Sequence, residues 1–528
     1  MTKPIYRADI YSRNSSGTLV IHRYADQGYV TPAAESPSKT EIEGRLIQPG
    51  LIRRDMYSRG RTYGDIAIGN ISVELANADG ELDFLLDYAF DGKPYYIWEI
   101  DPDDFEKSAY VQINGACEQP VMNEDVVTFA VRDQAHLMDK ALFDKRFLGT
   151  NSLPNGVEGT ADDLKGKIKP GVLGSVLNIS PPCVNTSLLI YRVDGQDGLR
   201  TGWSVTVYDK RVALTQGADY TDLNDMQTNA PSAGQYRVLP GAVTGGGCFR
   251  LGSTPTGQIT ADVTNPVSYG ATGCEISSLL RYLAAKTAIG SFSFGYENDP
   301  ECGIYCADDI TVLGAMNQIA PSVNAFMSLV LGTNFFSSQL CDPADLPYSP
   351  TVDPLELNTT HVLQNSLTRI AASDPQRGIP VWRVNVNYAK NYTVMTETDL
   401  AGAAQDEIAF SRQEYRTATA EDSSILLQWA DAPELTINTL LINESDAQAE
   451  ADRLLALHSV RRDMFVLSIS AQVLRDLPDI SSSPKYLNLH DRVLLTYPRF
   501  GLDAGKLFLV IGMQNNYADD TIELTLWG

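Results

Sequence analysis

The sequence lacks the features that place a protein in a membrane or mark it for secretion. No apolar run approaches the roughly 20 residues that an α-helix needs to cross a bilayer. The opening residues MTKPIYRADIYSR contain no apolar core of the kind found in secretory signals. We therefore expect a protein without a membrane span, which is made in the cytoplasm and leaves the cell by another route such as lysis.

Positive charge is scarce. The 528 residues include 41 Lys and Arg against 66 Asp and Glu, which gives a net charge of −25. A protein that grips DNA by its phosphates needs clustered basic side chains, so this function is excluded. The acidity itself has two interpretations at this stage, a general contribution to solubility or an acidic surface with a function.

Histidines are few, and none stands in a catalytic or metal-binding motif. They are scattered, with no HExxH and no pair four residues apart, at His22, His136, His361, His458 and His490. The chain also has no GxSxG and no recognisable Cys–His arrangement. The triplet Gly245–Gly247 has neither the following Lys-Ser/Thr nor the spacing of a phosphate-binding loop. We predict no catalytic residues and no cofactor site.

Cysteine is also sparse, at seven residues, and the number is odd. A chain of this length does not need disulfides to hold its core together. Cys302 and Cys306 are the only close pair, and a CxxxC without a second pair or nearby histidines is a poor zinc motif. Buried free thiols are the simplest interpretation.

Two further groups of residues, one polar and one aromatic, each have a structural and a functional interpretation. Acidic and amide side chains alternate around Gly80, at Asn77, Asp79, Glu81 and Asp83, but the pattern is not that of an EF-hand. A turn explains it better than calcium. The strand residues Tyr95, Tyr96 and Trp98 offer an aromatic surface, for which core or subunit interface is favoured over a sugar platform.

Length and periodicity indicate several β-rich units. A chain of 528 residues suggests ~3–4 domains. Alternating apolar residues predict a hairpin of Ile5–Ser12 and Thr18–Ala25, and further strands at Glu43–Ile52, Asp65–Leu75 and Tyr95–Ile100. A short apolar stretch, Leu82–Tyr88, is helix-like. A loop-like region rich in Gly, Pro and Asp, 146–171, marks a boundary.

Helical periodicity appears only in the second half of the chain. Helices are predicted at Glu275–Ala288, at Asp308–Ala320 with Asp308 or Asp309 as the cap, and at Asp446–His458, opened by Ser445 or Asp446. The fold class is therefore mainly β (α+β). The predicted domains are 1–148, 149–270, 271–375 and 376–528, where 149–270 is β-rich and 271–375 is α+β.

The last stretch, Tyr486–Gly528, reads as three strands at Arg492–Thr496, Lys506–Met513 and Thr521–Trp527. Its sequence contains an LFLVIG strand and a closing IELTLWG strand. It resembles the C-terminal end of hub proteins from the baseplates or tail tips of long-tailed (siphovirus-like) bacteriophages and prophages. Residues 70–98, NISVELANADGELDFLLDYAFDGKPYYIW, resemble the opening part of the same proteins.

This resemblance implies a structural virion protein and not an enzyme. Both chain ends would jointly build tail-tube-like β-barrel domains, and the middle of the chain would form peripheral domains. The hub would be a homotrimeric ring at the tail tip that scaffolds its neighbours and passes DNA during ejection without binding it. The implied partners are the distal tail or tail tube protein, the tape measure protein and tail-tip fibre or receptor-binding proteins.

Some hubs of this kind carry an iron–sulfur cluster on four cysteines. The subset of this chain that fits such a cluster is loosely spaced and consists of Cys274, Cys302, Cys306 and Cys341. Buried free thiols remain the preferred interpretation, so no metal is predicted.

Two other classes of function stay open on the sequence. One is a cell-wall or polysaccharide hydrolase with β domains, because carboxylates are abundant and their spacing in space is not readable from the sequence. The other is a carbohydrate-binding surface protein. A hydrolase requires a deep cleft with paired carboxylates of perturbed pKa, whereas a hub requires large subunit interfaces.

Overall fold

The structure is a computed structural model. It describes residues 3–33, 35, 37–57, 60–64, 70–102, 110–133, 137–241, 245–287, 291–330, 334–346, 354–371, 378–400, 405–476 and 487–528. Strands predominate, and they form several sheets, as expected for a mainly β (α+β) protein. None of the helices in these ranges is long and apolar enough to cross a membrane.

An eight-stranded sheet, the N-terminal sheet, occupies the first part of the chain. The strands of this region are β1 (Ile5–Arg13), β2 (Leu19–Ala25), β3 (Tyr29–Val30), β4 (Glu41–Ile42), β5 (Leu46–Gln48), β6 (Leu51–Asp55), β7 (Asn70–Ala76), β8 (Pro94–Ile100), β9 (Tyr110–Cys117), β10 (Val121–Met122) and β11 (Val126–Asp133). The order is β2-β1-β8-β9-β11-β7-β5, with β10 beside β11, while β3 and β4 pair separately. Alternate side chains such as Val73, Tyr95 and Phe129 are fully buried in its core.

The predicted β1–β2 hairpin is confirmed, since the two strands pair from Arg7 with Ala25 to Arg13 with Leu19. The single strand predicted at Glu43–Ile52 is wrong. Pro49 has no N–H for a ladder bond, and Gly50 has a φ of +142°, so the chain turns there into two strands. As a result β6 leaves the N-terminal sheet. The helix-like stretch is a 3₁₀ helix at Asp83–Asp87, and residues 65–69 of the predicted strand Asp65–Leu75 lie outside the described residues.

Two five-stranded sheets follow the boundary loop and enclose a common core. Their region contains β12 (Gly171–Ile179), β13 (Cys183–Asn185), β14 (Ile190–Arg192), β15 (Ser204–Asp209), β16 (Val212–Ala213), β17 (Thr215–Gln216), helix α1 (Leu223–Thr228), β18 (Gln235–Leu239), β19 (Cys248–Leu251) and β20 (Ile259–Asn265). Val176, Val207 and Phe249 are buried between the sheets. A later strand, β22 (Gly303–Cys306), pairs with β12 and ties the next region to this one.

Helices α2 (Ile276–Ala285) and α3 (Val312–Ile319) share a large core with the sheet of β21 (Ser291–Gly295), β23 (Ala325–Val330) and β24 (Asn334–Gln339). The predicted caps of the second helix are wrong. The helix begins four residues later than predicted, so the Thr311 hydroxyl accepts the N–H of Gly314 at 3.1 Å.

The last part of the chain forms a seven-stranded sheet, the C-terminal sheet, and a smaller three-stranded sheet. Their elements are β25 (Leu355–Leu357), β26 (Thr368–Ile370), β27 (Arg383–Tyr388), α4 (Gln405–Ser411), β28 (Arg416–Glu421), β29 (Glu434–Asn438), α5 (Glu444–His458), β30 (Met464–Ser470), α6 (Gln472–Arg475), β31 (Arg492–Leu495), β32 (Lys506–Asn516) and β33 (Thr521–Trp527). The C-terminal sheet has the order β25-β31-β32-β33-β30-β26, with β6 beside β32, and β28-β27-β29 form the small one.

The three terminal strands are confirmed, whereas the start of α5 differs from the prediction. The helix begins at Glu444 after Asn443, so neither Ser445 nor Asp446 is its cap. Within the described ranges every sheet runs from one edge strand to another and none closes on itself. The β-barrel expected from the resemblance therefore stays a prediction.

Removal of residues 486–528 is expected to abolish soluble folding. The shortened chain would lose β31, β33 and also β32, which is the partner strand of β6. It would also lose the buried side chains of Phe508 and Leu524. Yield in the soluble fraction and near-ultraviolet circular dichroism would be compared with those of the intact chain. A shortened protein that stays soluble and melts as the intact chain does would contradict this expectation.

Candidate functional site: the junction of the two chain ends

The two ends of the chain meet in one continuous piece of structure, which we call the junction. Strand β6 pairs antiparallel with β32, from Leu51 with Asn516 to Asp55 with Gly512. The approach is close, since a Cβ added at Gly512 would lie 2.4 Å from Oδ1 of Asp55. Through β6 the N-terminal region contributes a strand to the C-terminal sheet.

The contact also runs in the other direction. Tyr517, which follows β32, is buried in the core of the N-terminal sheet. Its ring lies edge-on to that of Tyr6, with 5.0 Å between the centroids. Each end of the chain therefore supplies a part that the other end requires.

A charge cluster centred on Arg475 closes the junction. The Arg475 Nε donates to Oε1 of Glu99 at 2.6 Å, Nη1 to Oδ2 of Asp520 at 2.9 Å, and Nη2 to the Tyr6 hydroxyl at 2.8 Å. The Tyr6 hydroxyl in turn donates to Oδ1 of Asp520 at 3.0 Å. One guanidinium thus joins β1, β8 and the β32–β33 turn.

Burial and the Arg475 guanidinium shift the pKa values of Glu99 and Asp520 in opposite directions. Burial raises the pKa of Glu99 above its ordinary value although Arg475 opposes this change. Burial also raises the pKa of Asp520, but the hydrogen bonds and charge of Arg475 outweigh it, so the net shift is downward. Burial raises the pKa of Tyr6. The cluster is thus suited to hold the two sheets in one arrangement.

The four cysteines considered for a cluster do not form one site. Cys302 and Cys306 lie in the core around α2 and α3, where the N–H of Cys302 donates to the carbonyl of Cys274 at 2.9 Å. Cys341 packs on the core of the C-terminal sheet, with its Sγ 3.6 Å from Nε2 of His490. All four are free thiols. No group of three or more His, Cys, Asp or Glu side chains in the described ranges is arranged to hold a metal ion.

Burial makes these thiols poor nucleophiles. It raises the pKa of Cys306 to about 12 and that of Cys341 to about 11. Burial likewise raises the pKa values of Cys274 and Cys302. Because the thiolate is the reactive form, all four are expected to react slowly.

The polar residues around Gly80 build a turn. The Asn77 side chain donates to Asp83 at 2.9 Å and accepts the N–H of Leu82 at 2.8 Å. Asp79 pairs with Arg45 at 2.8 Å, and this hydrogen-bonded contact lowers the pKa of Asp79 to about 2. These contacts support the interpretation as a turn.

The glycine triplet has a packing role. A Cβ at Gly246 would lie 2.0 Å from the carbonyl oxygen of Gly241, and one at Gly247 would lie 1.9 Å from that of Asp194. The N–H of Gly247 donates to the carbonyl of Leu239 at 2.8 Å. Glycine is required here because the backbone passes so close to its neighbours.

The aromatic strand residues divide between the two faces of β8. Tyr95 is buried in the core of the N-terminal sheet and donates its hydroxyl to the carbonyl of Pro49 at 3.0 Å. Tyr96 and Trp98 lie on the other face and are half-buried, with Tyr96 5.7 Å from the ring of Tyr11. The expected continuous aromatic surface is therefore split, because successive side chains of a strand alternate.

Three of the four histidines in the described residues are buried, each in a different place. His22 contacts Oγ of Ser12 at 2.8 Å, His458 ends α5, and His490 lies against the ring of Phe326. Burial lowers the pKa values of His22 and His490 to about 4 and that of His458 to about 3. His361 is half-buried, and His136 lies outside the described residues.

We expect stability to fall as the pH is lowered from 7 to 5.5. The unfolded chain binds protons on these histidines near pH 6.5, whereas the folded chain resists them until about pH 4. The contribution of each buried histidine to the free energy of unfolding is therefore fully present above pH 6.5. Below that pH it falls by up to about 1.4 kcal/mol per pH unit. Urea unfolding at several pH values would measure this. His22→Gln should flatten the dependence and the exposed Leu148→Ser should not. An unchanged slope in His22→Gln would count against this explanation.

The residues of the junction carry no sequence signal that predicts their association. Arg475 lies 469 residues from Tyr6, and it sits in an ordinary stretch of the sequence, VLRDLP. Asp520 lies between the predicted strands Lys506–Met513 and Thr521–Trp527, and Glu99 lies in the predicted strand Tyr95–Ile100. Only the meeting of the two sheets brings them together.

Arg475→Met is expected to lower the unfolding free energy by about 2–5 kcal/mol, because two mostly buried carboxylates would lose their shared cation. Urea denaturation would measure the loss. The matched control is Arg412→Met, whose partner Glu397 is 3.9 Å away and exposed, and which should cost less than about 1 kcal/mol. Equal effects of the two substitutions would show that the junction cluster has no special weight.

No family model matches the chain, and no curated protein matches it significantly in sequence. Among solved structures it is similar to a tail protein from Neisseria meningitidis MC58 (TM-score 0.43, 10% identity, 99% of this chain and 96% of that chain). It is also similar to the 43 kDa tail protein of prophage MuSo2 from Shewanella oneidensis (0.42, 10%, 99% and 96%) and to prophage tail protein gp18 from Listeria monocytogenes EGD-e (0.39, 7%, 99% and 94%). TM-scores below 0.5 do not establish a shared fold, so the function rests on the chain's own residues.

Proposed function

We propose that this chain is a structural protein of a phage tail and serves as the hub of the tail tip or baseplate. The observation that carries the proposal is the burial of Tyr517 in the core of the N-terminal sheet, beside Val73, Tyr95 and Ile97. Tyr517 belongs to one of the two stretches that resemble hub proteins, and the other three residues belong to the second. The two matching stretches, at opposite ends of the sequence, thus share one core.

In this role the hub is a homotrimeric ring continuous with the tail tube. The N-terminal sheet ends in edge strands β2 and β5, and the C-terminal sheet in β25 and β26. Among the described residues, the edge of β2 is paired in part, since Ala25 donates its N–H to Glu43 at 2.9 Å. Backbone groups left at sheet edges can pair with a neighbouring chain. Several copies of the chain therefore close the barrel together when they form the ring. The tail tube stacks on one side of this ring. Regions 149–270 and 271–375 serve as peripheral domains that hold neighbouring baseplate proteins and fibres.

The acidic composition fits a conduit for DNA. Duplex DNA carries one negative charge per ~1.7 Å of its axis, so a basic lining would hold it and slow ejection. Salt screens the repulsion beyond about 8–10 Å, so the carboxylates that act on DNA must lie near the channel wall. The net charge of −25 supplies such a lining readily.

Two buried carboxylates with raised pKa, those of Asp194 and Glu450, are held by structural contacts, which favours the hub over the hydrolase. Burial raises the pKa of Asp194, which accepts N–H groups from Val172, Gln196 and Asp197 at 2.9–3.0 Å. Burial also raises the pKa of Glu450, which is bound by Arg453 at 2.7 Å. A general acid needs its proton directed at a substrate.

The test of the proposed function is the location of the chain in purified phage tails. We expect an antibody against the full chain to label one end of the tail in electron micrographs, and native mass measurement of the purified protein to give three times the chain mass. Labelling along the whole tail, or no labelling, would contradict the hub.

A gel-shift measurement on the purified protein provides a check on DNA passage. The purified protein should leave duplex DNA unshifted in gels at ~0.15 M salt, since an acidic chain lacks the cations that bind phosphates. Tight DNA binding would contradict the role as a passive conduit.

A further inference from the structure

A rigid apolar loop projects from the three-stranded sheet. Residues 422–433, which we call the docking loop, connect β28 to β29 and include Ile425, Leu426, Leu427 and Trp429. Leu427 is 90% exposed, the highest value for a large apolar side chain in the described part of the protein. None of the residues of the 3₁₀ helix Ser423–Leu427 is buried. Ile425 and Leu426 are half-buried, so Leu427 is the apolar side chain of this helix that stays exposed. Exposed apolar side chains of this size are a feature of interaction sites.

Hydrogen bonds fix the shape of the docking loop. The Asp422 carboxylate accepts from the N–H and hydroxyl of Ser424 at 3.0 and 2.6 Å. The N–H of Trp429 donates to the carbonyl of Ile425 at 2.9 Å. At its base the backbone of Trp382 binds both ends of the loop, accepting from Asp422 at 2.8 Å and donating to Pro433 at 3.2 Å. Leu427 is therefore presented at little cost in conformational entropy.

A flat polar surface adjoins the loop. The outer face of the three-stranded sheet consists of polar side chains joined across the strands, with Thr419 donating to Asn385 at 2.9 Å and Thr417 donating to Asn387 at 2.7 Å. Asn387 donates to Asn438 at 2.8 Å. An apolar anchor beside a polar surface is the usual anatomy of a protein interface.

Charge decides what kind of partner fits. Four carboxylates, those of Glu421, Asp422, Asp431 and Glu434, lie in the docking loop or in the residues that flank it. Arg383 pairs with two of them, Glu421 at 2.8 Å and Glu434 at 3.2 Å. A complementary surface carries Lys or Arg around an apolar pocket. A second copy of the chain, with 66 acidic against 41 basic residues, offers this loop fewer cations than a basic partner does, and a membrane with anionic lipids is repelled by it.

We propose that the docking loop inserts Leu427 into an apolar pocket, rimmed by Lys and Arg, on a different protein. In taking this protein to be a neighbouring tail protein, the inference rests on the proposed function. The loop then acts as the anchor of the contact, and the polar face of the three-stranded sheet forms its periphery.

The test places a photo-crosslinking amino acid, p-benzoylphenylalanine, at position 427 of the full chain in cells that produce the phage. The control carries it at position 148, where Leu148 is 62% exposed but lies outside the docking loop. We expect light to join position 427 to one protein of different mass, at an apolar residue flanked by Lys or Arg, and position 148 not to join to it. Absence of such a product, or crosslinking to a second copy or to lipid, would overturn the proposal.

A binding measurement with the purified crosslinked protein completes the test. Leu427→Ser should weaken its affinity for the full chain at least tenfold, while Leu148→Ser leaves it unchanged and both variants keep the wild-type melting temperature. Equal affinities of the two variants would overturn the proposal.

Location in tail particles, scored in the same culture, separates the two hypotheses. If the chain is found in the particles and position 427 forms no product, the docking loop has no such partner and the tail role stands. If the chain is absent from the particles and the crosslink maps to a basic-rimmed pocket on another protein, the docking stands and the tail role fails.

Discussion

The pairing of β6 with β32 is the constraint on which the arrangement of the two large sheets depends. It exists because the chain cannot continue as one strand through Pro49 and Gly50. Past this point β6 joins a sheet whose other strands come from the last third of the sequence. Tyr517 and the Arg475 cluster then fix the angle between the sheets from the opposite side. A strand pairing alone would permit twisting, whereas a buried aromatic ring and a shared guanidinium permit one arrangement.

Within the fold, several of the charges are balanced locally despite the net charge of −25. Arg475 serves Glu99 and Asp520, and Arg211, nearly buried, binds Asp262 and Glu407 between two regions of the chain. Arginine suits these positions because its planar fork binds two carboxylates at once. Many of the remaining carboxylates lie at the surface. In the two roles proposed above, this acidic excess would repel DNA from a channel and favour basic neighbours at the docking loop.

The local pattern of apolar residues was enough to locate several strands and helices in the sequence. The alternation of Ile522, Leu524 and Leu526 located β33, and the periodicity of Ile276, Leu279, Leu280 and Leu283 located α2. Cap positions were less predictable, because Asp308 and Asp309 are good caps in isolation and the helix starts after Thr311. The choice depends on where the preceding chain packs, which the local sequence does not contain.

The sequence by itself determined that this protein is mainly β and that its last stretch contains three strands. These two properties follow from periodicity and turn residues over short distances. Only the tertiary structure decided that β6 changes sheets and that Arg475 meets Tyr6, Glu99 and Asp520. Each of these depends on contacts between residues far apart in the chain. Their energy comes from burial and charge pairing that exist only after the sheets have come together.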